Sequence, residues 1–589
     1  MNGFFHANRV LNVATYVTPI VAQSDPSLFQ KSHYVQSLKD KSARLSLMHE
    51  LTPSIISRVD FETFAITQWF FCLFFTITAL FYLGKTISGS SLAGYGTALL
   101  FSSQLNDWTL GSPAIYINFF HHGLQWALML NIFSLALILR KRLPSAFLLM
   151  GIAWNFHPMS VLFLFFLFTP YWLAHRKEIS FKTLLVCGIA FILPALPILI
   201  KAISYLSIPW HYGPEWMTGV LWNAWYTVFP STWPLFTWFR AGLFFLLFAM
   251  GFYTLPSSGI KRDIKLFMIT IGVLCAAGTV FAELFPIPFF MKMSLWRTTW
   301  LYIILALPCI VHLFITQWNH SLLKRFIIVS TMILLTGYIN YFPFYYLFLF
   351  NTFFLLFISR PTAESNWEGL SAKFPIIFFA SLLLCITYQG LFDWGIQGTI
   401  IGMGCILLFL LLLNLPETSL PFAKSSNFCI IGALVFMALF DTGLLLYRGG
   451  PALYYHGYVR GERDPWADIQ CFAKEHSHKD ALFIVPPYCN DFGLYSERAT
   501  LGDWAEGANI LYMDNTFAKE WLKRMNDLGW RDIWGAKDGY KELSTKEIVS
   551  TAHKYGADFI VTEKPKQFEL TMLYENEQYV LYKAPVRKE

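Results

Sequence analysis

The chain has 589 residues, 55 % of them apolar and only 14 % charged, with a mean hydropathy of +0.47 and 58 Phe, 28 Tyr and 21 Trp. Soluble domains carry about 25 % charge, so this composition excludes a soluble multidomain enzyme, a disordered chain and a disulfide-rich secreted scaffold. The formal charge of +7 sits in short loops between apolar runs, so it reports membrane topology rather than nucleic-acid binding.

Residues 1–65 are polar and mixed, with no apolar run at the start, which excludes a conventional signal peptide. Apolar runs of roughly 18 or more residues, enough to cross ~30 Å of hydrocarbon as a helix, then follow. They predict spans near 66–84, 88–104, 115–139, 181–203, 236–256, 265–283, 298–317, 325–341, 344–359, 374–391, 397–414 and 427–447. The apolar stretch 144–174 is interrupted at His157-Pro158. Proline removes a backbone donor and restrains the residue before it, so this stretch reads as two half-helices. From about residue 448 the composition becomes that of a soluble α/β domain.

The loops set the orientation. One alternating set carries Lys85, Arg140, Lys141, Arg142, Arg176, Lys177, Lys182, Lys261, Arg262, Lys265, Lys324, Arg325, Arg360, Lys373 and Lys424; the other carries Lys201, Arg240, Lys292 and Arg297. Positive charge is retained in the cytoplasm, so the first set is assigned there. The stretch 144–174 must then enter and leave on the cytoplasmic side, and both 1–65 and 448–589 lie outside. An external first segment with no span before it points to a truncated or misassigned start, or to a segment that the following span drags across.

In the soluble part, Ala481–Val485, Ala557–Val561 and Tyr579–Lys583 read as strands, and 464–475, 516–527 and 545–555 as helices, the last closed by Gly556 as a C-cap. Helix–strand alternation implies a small parallel or mixed sheet flanked by helices. No GxGxxG or Walker loop occurs, so no nucleotide site is expected. Seven cysteines (Cys72, Cys187, Cys275, Cys309, Cys385, Cys405, Cys429) lie in or at the ends of apolar runs as small packing residues. Cys471 and Cys489, in the soluble part, are a pair or two separate thiols.

The fold class is therefore a polytopic α-helical membrane protein of about 12–14 transmembrane segments, counting the broken pair, with a C-terminal extracytoplasmic α/β domain. Its parts are an extracytoplasmic segment 1–65, a transmembrane domain 66–447 and the α/β domain 448–589. This layout resembles the GT-C superfamily of membrane glycosyltransferases, which includes oligosaccharyltransferase catalytic subunits, protein O-mannosyltransferases and bacterial lipid-sugar transferases. It is most similar to a bacterial branch of that architecture. The residues carrying the resemblance are Asp25-Pro-Ser-Leu-Phe29, Asn155-Phe-His-Pro158, Leu295-Trp-Arg297, Asp480-Ala-Leu-Phe-Ile-Val-Pro-Pro487, Tyr495-Ser-Glu-Arg498 and Asp503-Trp504. Where oligosaccharyltransferases carry Trp-Trp-Asp-Tyr-Gly, this chain has Pro486-Pro-Tyr-Cys-Asn-Asp-Phe-Gly493. It also lacks the early first-loop carboxylate of that superfamily: Gly3–Arg9 contains no acid, and the first is Asp25.

The resemblance implies sugar transfer from a polyprenyl-phosphate-linked donor at the outer face of a bacterial inner membrane, by a multi-pass protein whose partners are the bilayer and that donor. Its non-catalytic alternative is an accessory of the same architecture in envelope polysaccharide or glycolipid assembly. A carboxylate would deprotonate the acceptor, and a cation or a divalent metal (Mg or Mn) would steady the leaving phosphate. Asp25, Glu50 and Asp107 are the candidate catalytic acids, with Asp25 and Asp107 also candidate metal ligands; their plain readings are a turn, a solvated helix face and a loop acid. Arg297 is the best candidate for the donor phosphate, because a guanidinium forks onto phosphate oxygens. Lys292 would assist it. Glu283 stands across from Arg297 as a rim ion pair. His157 either caps the broken helix or lines the lipid-phosphate cavity. Glu215 belongs to an interfacial aromatic helix, Asp441 to the end of the last span, and Glu497, Arg498 and Asp503 to an internal ion-pair set or an acceptor surface. His121-His122 point to different sides of a helix and do not chelate together.

Overall fold

The computed structural model describes residues 13–39, 46–102 apart from 57 and 60, 110–111, 123–202, 211–318, 465–531 and 536–585, with isolated positions between 324 and 352. Among them, five helical stretches are long and apolar enough to cross a membrane: Thr67–Ser88, Phe181–Ala202, Leu235–Thr254, Gly259–Leu284 and Pro288–Trp318. They make the chain a helical membrane protein with a small C-terminal sheet domain. The spans expected between 325 and 447, with Asp441, lie outside the described residues.

Burial sorts these helices by position. Pro288–Trp318 is 89 % buried across its most apolar window and runs through the middle of the body, whereas Phe181–Ala202 is only 17 % buried. The outer face of the latter exposes Leu185, Ile189, Leu193 and Ile200, an apolar surface of the kind that lipid covers at low cost. Small residues bring the helices together: a Cβ on Gly251 would strike the backbone of Cys309, and one on Gly151 that of Phe191.

The stretch 144–174 forms two helices, Leu143–Trp154 and Pro158–Ala174. At 1.5 Å per residue the first reaches only ~18 Å, short of a crossing. Lys141 and Glu178, at the two feet of this hairpin, form a 2.5 Å ion pair, so both feet lie at one end of the body. The other basic loops gather there too. Arg140 donates to Thr86 Oγ1 at 2.9 Å and to the Tyr82 hydroxyl at 2.8 Å, and His175 meets Asp263 at 2.9 Å.

The α/β domain sits at the opposite end. Its sheet has the order β2-β1-β3-β5-β4, with β1 Leu482–Ile484, β2 Ala499–Thr500, β3 Phe559–Glu563, β4 Met572–Glu575 and β5 Tyr579–Lys583. β1 is parallel to β2 and β3, while β5 is antiparallel to β3 and β4. The sequence reading had three of these strands. β2 is two residues long and β4 is largely exposed at a sheet edge, so neither shows the apolar alternation that identifies a strand. Helices Pro465–His476, Asn515–Asp527 and Thr545–Tyr555 lie close to the expected ranges, the last with a Ser544/Glu547 capping box and Gly556 in the left-handed region. Cys471 and Cys489 are free thiols.

The core of this domain does not stop at residue 465. It takes in Ala22, Leu28, Phe29, Tyr34 and Val35 from the first segment, and Trp216, Val220, Ala224 and Val228 from helix Pro214–Val228. Trp216 is fully buried and donates its indole N–H to the carbonyls of Ile510 and Met513 at 3.0 and 3.2 Å. His33 stacks on Phe517 at 5.0 Å, and Lys31–Asp558 and Asp25–Lys479 ion pairs flank the contact, each at 2.9 Å.

Phe517 is therefore the residue on which the first segment closes. Phe517→Ala should cost about 3–5 kcal/mol of domain stability and speed proteolysis within residues 13–39 of the full-length protein. Unchanged cleavage there would show that the segment is held by other contacts.

Candidate functional site at the broken helix

The two half-helices meet at Asn155-Phe-His157. Pro158 opens the second helix at its first turn, where the missing N–H costs nothing, and His157 caps it: Nδ1 accepts the Ser160 backbone N–H at 3.2 Å. That bond places the proton of the neutral imidazole on Nε2. The Ser160 hydroxyl donates to the His157 carbonyl at 2.8 Å and accepts from Asn131 Nδ2 at 2.9 Å. Asn155 donates to the carbonyl of Pro194 at 2.6 Å, and its own carbonyl accepts the Leu47 N–H at 2.6 Å. One helix break thus gathers the entry to helix Leu47–Ile56, helix Gly123–Leu139 and helix Phe181–Ala202.

Arg297 adds a positive charge within electrostatic range of the break. It lies in a 3₁₀ turn, Leu295–Thr298, entered through Ser294 in the left-handed region, and its guanidinium is close enough to His157 for the two to interact electrostatically. Beside it, Trp296 packs against Gly111 and against Trp233 and Trp238 at 4.9 and 5.6 Å. Thr299 Oγ1 donates to the Leu110 carbonyl at 2.7 Å.

Around this meeting point lie Ser46 Oγ, Trp126 Nε1, Asn131 Oδ1 and Asn155 Oδ1. These buried polar atoms have no hydrogen-bond partner among the described residues. Ser46 approaches Gly123 beside Phe156, and Trp126 stacks on Phe156 at 5.5 Å. In an apolar interior, unspent hydrogen-bonding capacity is costly, so these atoms make the break a candidate polar site.

The other expected site residues go elsewhere. Glu50 lies one turn into the helix that starts on Asn155, and its carboxylate pairs with Lys201. Asp25 is engaged by Ser27 and by Lys479 of the α/β domain, and these bonds hold its carboxyl down at about 2. Glu283 accepts the Ser231 backbone N–H at 2.7 Å, so the expected rim pair with Arg297 is not among the ion pairs of the described residues. Lys292 donates to the Tyr212 hydroxyl at 2.9 Å and the Met513 carbonyl at 3.2 Å, joining the helical body to the α/β domain. Asp107 and His121-His122 lie outside the described residues; Asp107 stands three positions before Leu110. Among the described residues, no group of three or more His, Cys, Asp or Glu side chains is placed to hold a metal. The sequence reading did not single out Asn131, Ser160 and Ser46. A run of polar residues at helical spacing along otherwise apolar segments was the available signal.

The soluble candidates are spent internally. Arg498 is buried and donates to the carbonyls of Lys474 and Ser477 at 2.8 Å each, closing the C-terminus of helix Pro465–His476, while Glu497 pairs with Lys474. Asp503 caps Trp504–Gly507 by accepting the Glu506 N–H at 2.8 Å. Burial raises both carboxyls of this close pair. Backbone N–H bonds to Asp503 resist the shift, and the Asp503 charge pushes Glu506 further up, so Glu506 is the more strongly raised of the two.

Residues 464–528, which contain this pair, match a domain family of unknown function, DUF6798. No curated protein matches the chain.

A carboxyl that stays protonated in the fold but ionises when unfolded loses stability for the protein as pH rises above its ordinary value of ~4.3. Glu506→Gln removes that loss. Its melting temperature should exceed that of the unchanged protein by a margin that widens from about pH 4.5 to about pH 8. Parallel curves would show that Glu506 is ionised in the fold.

Proposed function

We propose that the protein transfers a sugar from a polyprenyl-phosphate-linked donor at the outer face of a bacterial inner membrane. The observation that supports this is the capped helix break amid buried polar atoms, with the Arg297 charge within electrostatic range of His157, toward the end of the body that carries the α/β domain. In this reading Arg297 forks onto the donor phosphate, and His157 and Asn131 line the cavity beside it. A carboxylate takes the acceptor hydroxyl proton, the acceptor oxygen forms its bond to the anomeric carbon, and the bond from that carbon to the phosphate oxygen breaks. The electron pair stays on polyprenyl phosphate, where Arg297 offsets its charge. Glu50, at the edge of the break, and Asp107, ahead of the loop seated on Trp296, are the acids for the first step. A Mg or Mn ion, if bound, would add Lewis-acid stabilisation of the same phosphate.

A second reading, a non-catalytic accessory of the same architecture, draws on a specific feature: the carboxylates of Asp25 and Glu50 are each neutralised by a lysine, Lys479 and Lys201.

The two readings separate in proteoliposomes supplied with a labelled polyprenyl-phosphate sugar. The transferase reading expects turnover that falls about 10²–10³-fold in Arg297→Ala, is partly recovered in Arg297→Lys, and is unchanged in Glu283→Gln. Full turnover in Arg297→Ala removes the phosphate assignment; the absence of any transfer by the unchanged protein favours the accessory.

A further inference from the structure

Among the described residues, the basic end of the body carries far more cations than acids. The described loops there carry ten cations (Lys85, Arg140, Lys141, Arg142, Arg176, Lys177, Lys182, Lys261, Arg262 and Lys265) against two acids, Glu178 and Asp263. Both acids are already used. Glu178 pairs with Lys141 and His175, and buried Asp263 meets His175 at 2.9 Å with Arg262 beside it at 3.7 Å. Arg140 is taken up by Thr86 and Tyr82, and Lys261 by the carbonyls of Tyr253 and Leu255. Lys85, Arg142, Arg176, Lys177, Lys182 and Lys265 remain exposed, with no carboxylate at ion-pair distance among the described residues.

Four of these cations stand at the feet of the hairpin and of helix Phe181–Ala202, where the exposed apolar surface begins. Leu148 and Leu173 on the hairpin, and Phe181 and Leu185 on the next helix, are 44 %, 53 %, 81 % and 56 % exposed. An apolar band of this kind sits in hydrocarbon, which brings the neighbouring cations to the level of the lipid headgroups.

We propose that Arg142, Arg176, Lys177 and Lys182 form a binding surface for anionic phospholipid headgroups, whose phosphates supply counter-charge that the described residues of these loops do not. Attraction of this kind contributes about 1 kcal/mol per basic residue near the surface, or about fivefold in affinity, and weakens with salt. The inference is independent of the reaction proposed above.

The test uses the full-length protein in neutral detergent, titrated with phosphatidylglycerol or phosphatidylcholine, with bound lipid counted by native mass spectrometry and melting temperature followed in parallel. Phosphatidylglycerol should be retained at least about tenfold more tightly. That preference should shrink as salt rises, and it should disappear in the Arg142→Gln, Arg176→Gln, Lys177→Gln, Lys182→Gln variant. Should that variant fail to fold, the single Lys182→Gln protein and the salt series on the unchanged protein carry the same reading. Equal retention of the two lipids, an undiminished preference in the variants, or full displacement of phosphatidylglycerol by inorganic phosphate would overturn the proposal.

Discussion

Hydrocarbon offers no hydrogen bonds, so every backbone group freed by a helix break at membrane depth must find its partner within the protein. The break at Asn155-Phe-His157 meets this constraint by recruiting strangers in sequence. Asn155 reaches the carbonyl of Pro194 and accepts from Leu47, and His157 and Ser160 close the new helix while Ser160 holds Asn131. Satisfying these few groups aligns five helices, the two half-helices among them, and it leaves polar side chains at a depth where few would otherwise persist. Structure and candidate site therefore have the same origin.

The two ends of the helical body behave differently because their charges are handled differently. At the basic end the acids are consumed in short pairs and the surplus cations point outward. At the other end, the cations have partners within the protein: Lys201 pairs with Glu50 at the surface, Lys292 bonds Tyr212 and Met513, and the Arg297 charge lies within electrostatic range of His157. The α/β domain is correspondingly fastened to the body. Trp216 buries its whole ring beneath Ile510 and Met513, and the first segment supplies part of the same core. A boundary at 448 describes the composition of the chain, while the packing unit draws on residues 13–39 and 214–228 as well.

Trp216 shows how this was hidden. An aromatic stretch between two spans reads as an interface anchor, and Trp210-His-Tyr-Gly-Pro-Glu-Trp216 was read in that way. The residues buried along its helix, Trp216, Gly219, Val220, Asn223, Ala224, Thr227 and Val228, recur every three to four positions. That amphipathic stripe asks for a protein partner, but it does not name which one.

The sequence by itself determined the membrane class, the position of the helix break at His157-Pro158, the clustering of positive loops and the helices of the C-terminal domain. Each of these follows from local chemistry: apolar run length, the missing proline donor, charge near span ends, caps and periodicity. Only the tertiary structure decided which acids remain near the break, that the Arg297 charge lies within electrostatic range of His157, that Arg498 and Asp503 close helix ends, and that the first segment belongs to the C-terminal core. Those outcomes depend on contacts between residues up to hundreds of positions apart, and no local pattern encodes which of several chemically equivalent partners a side chain will meet.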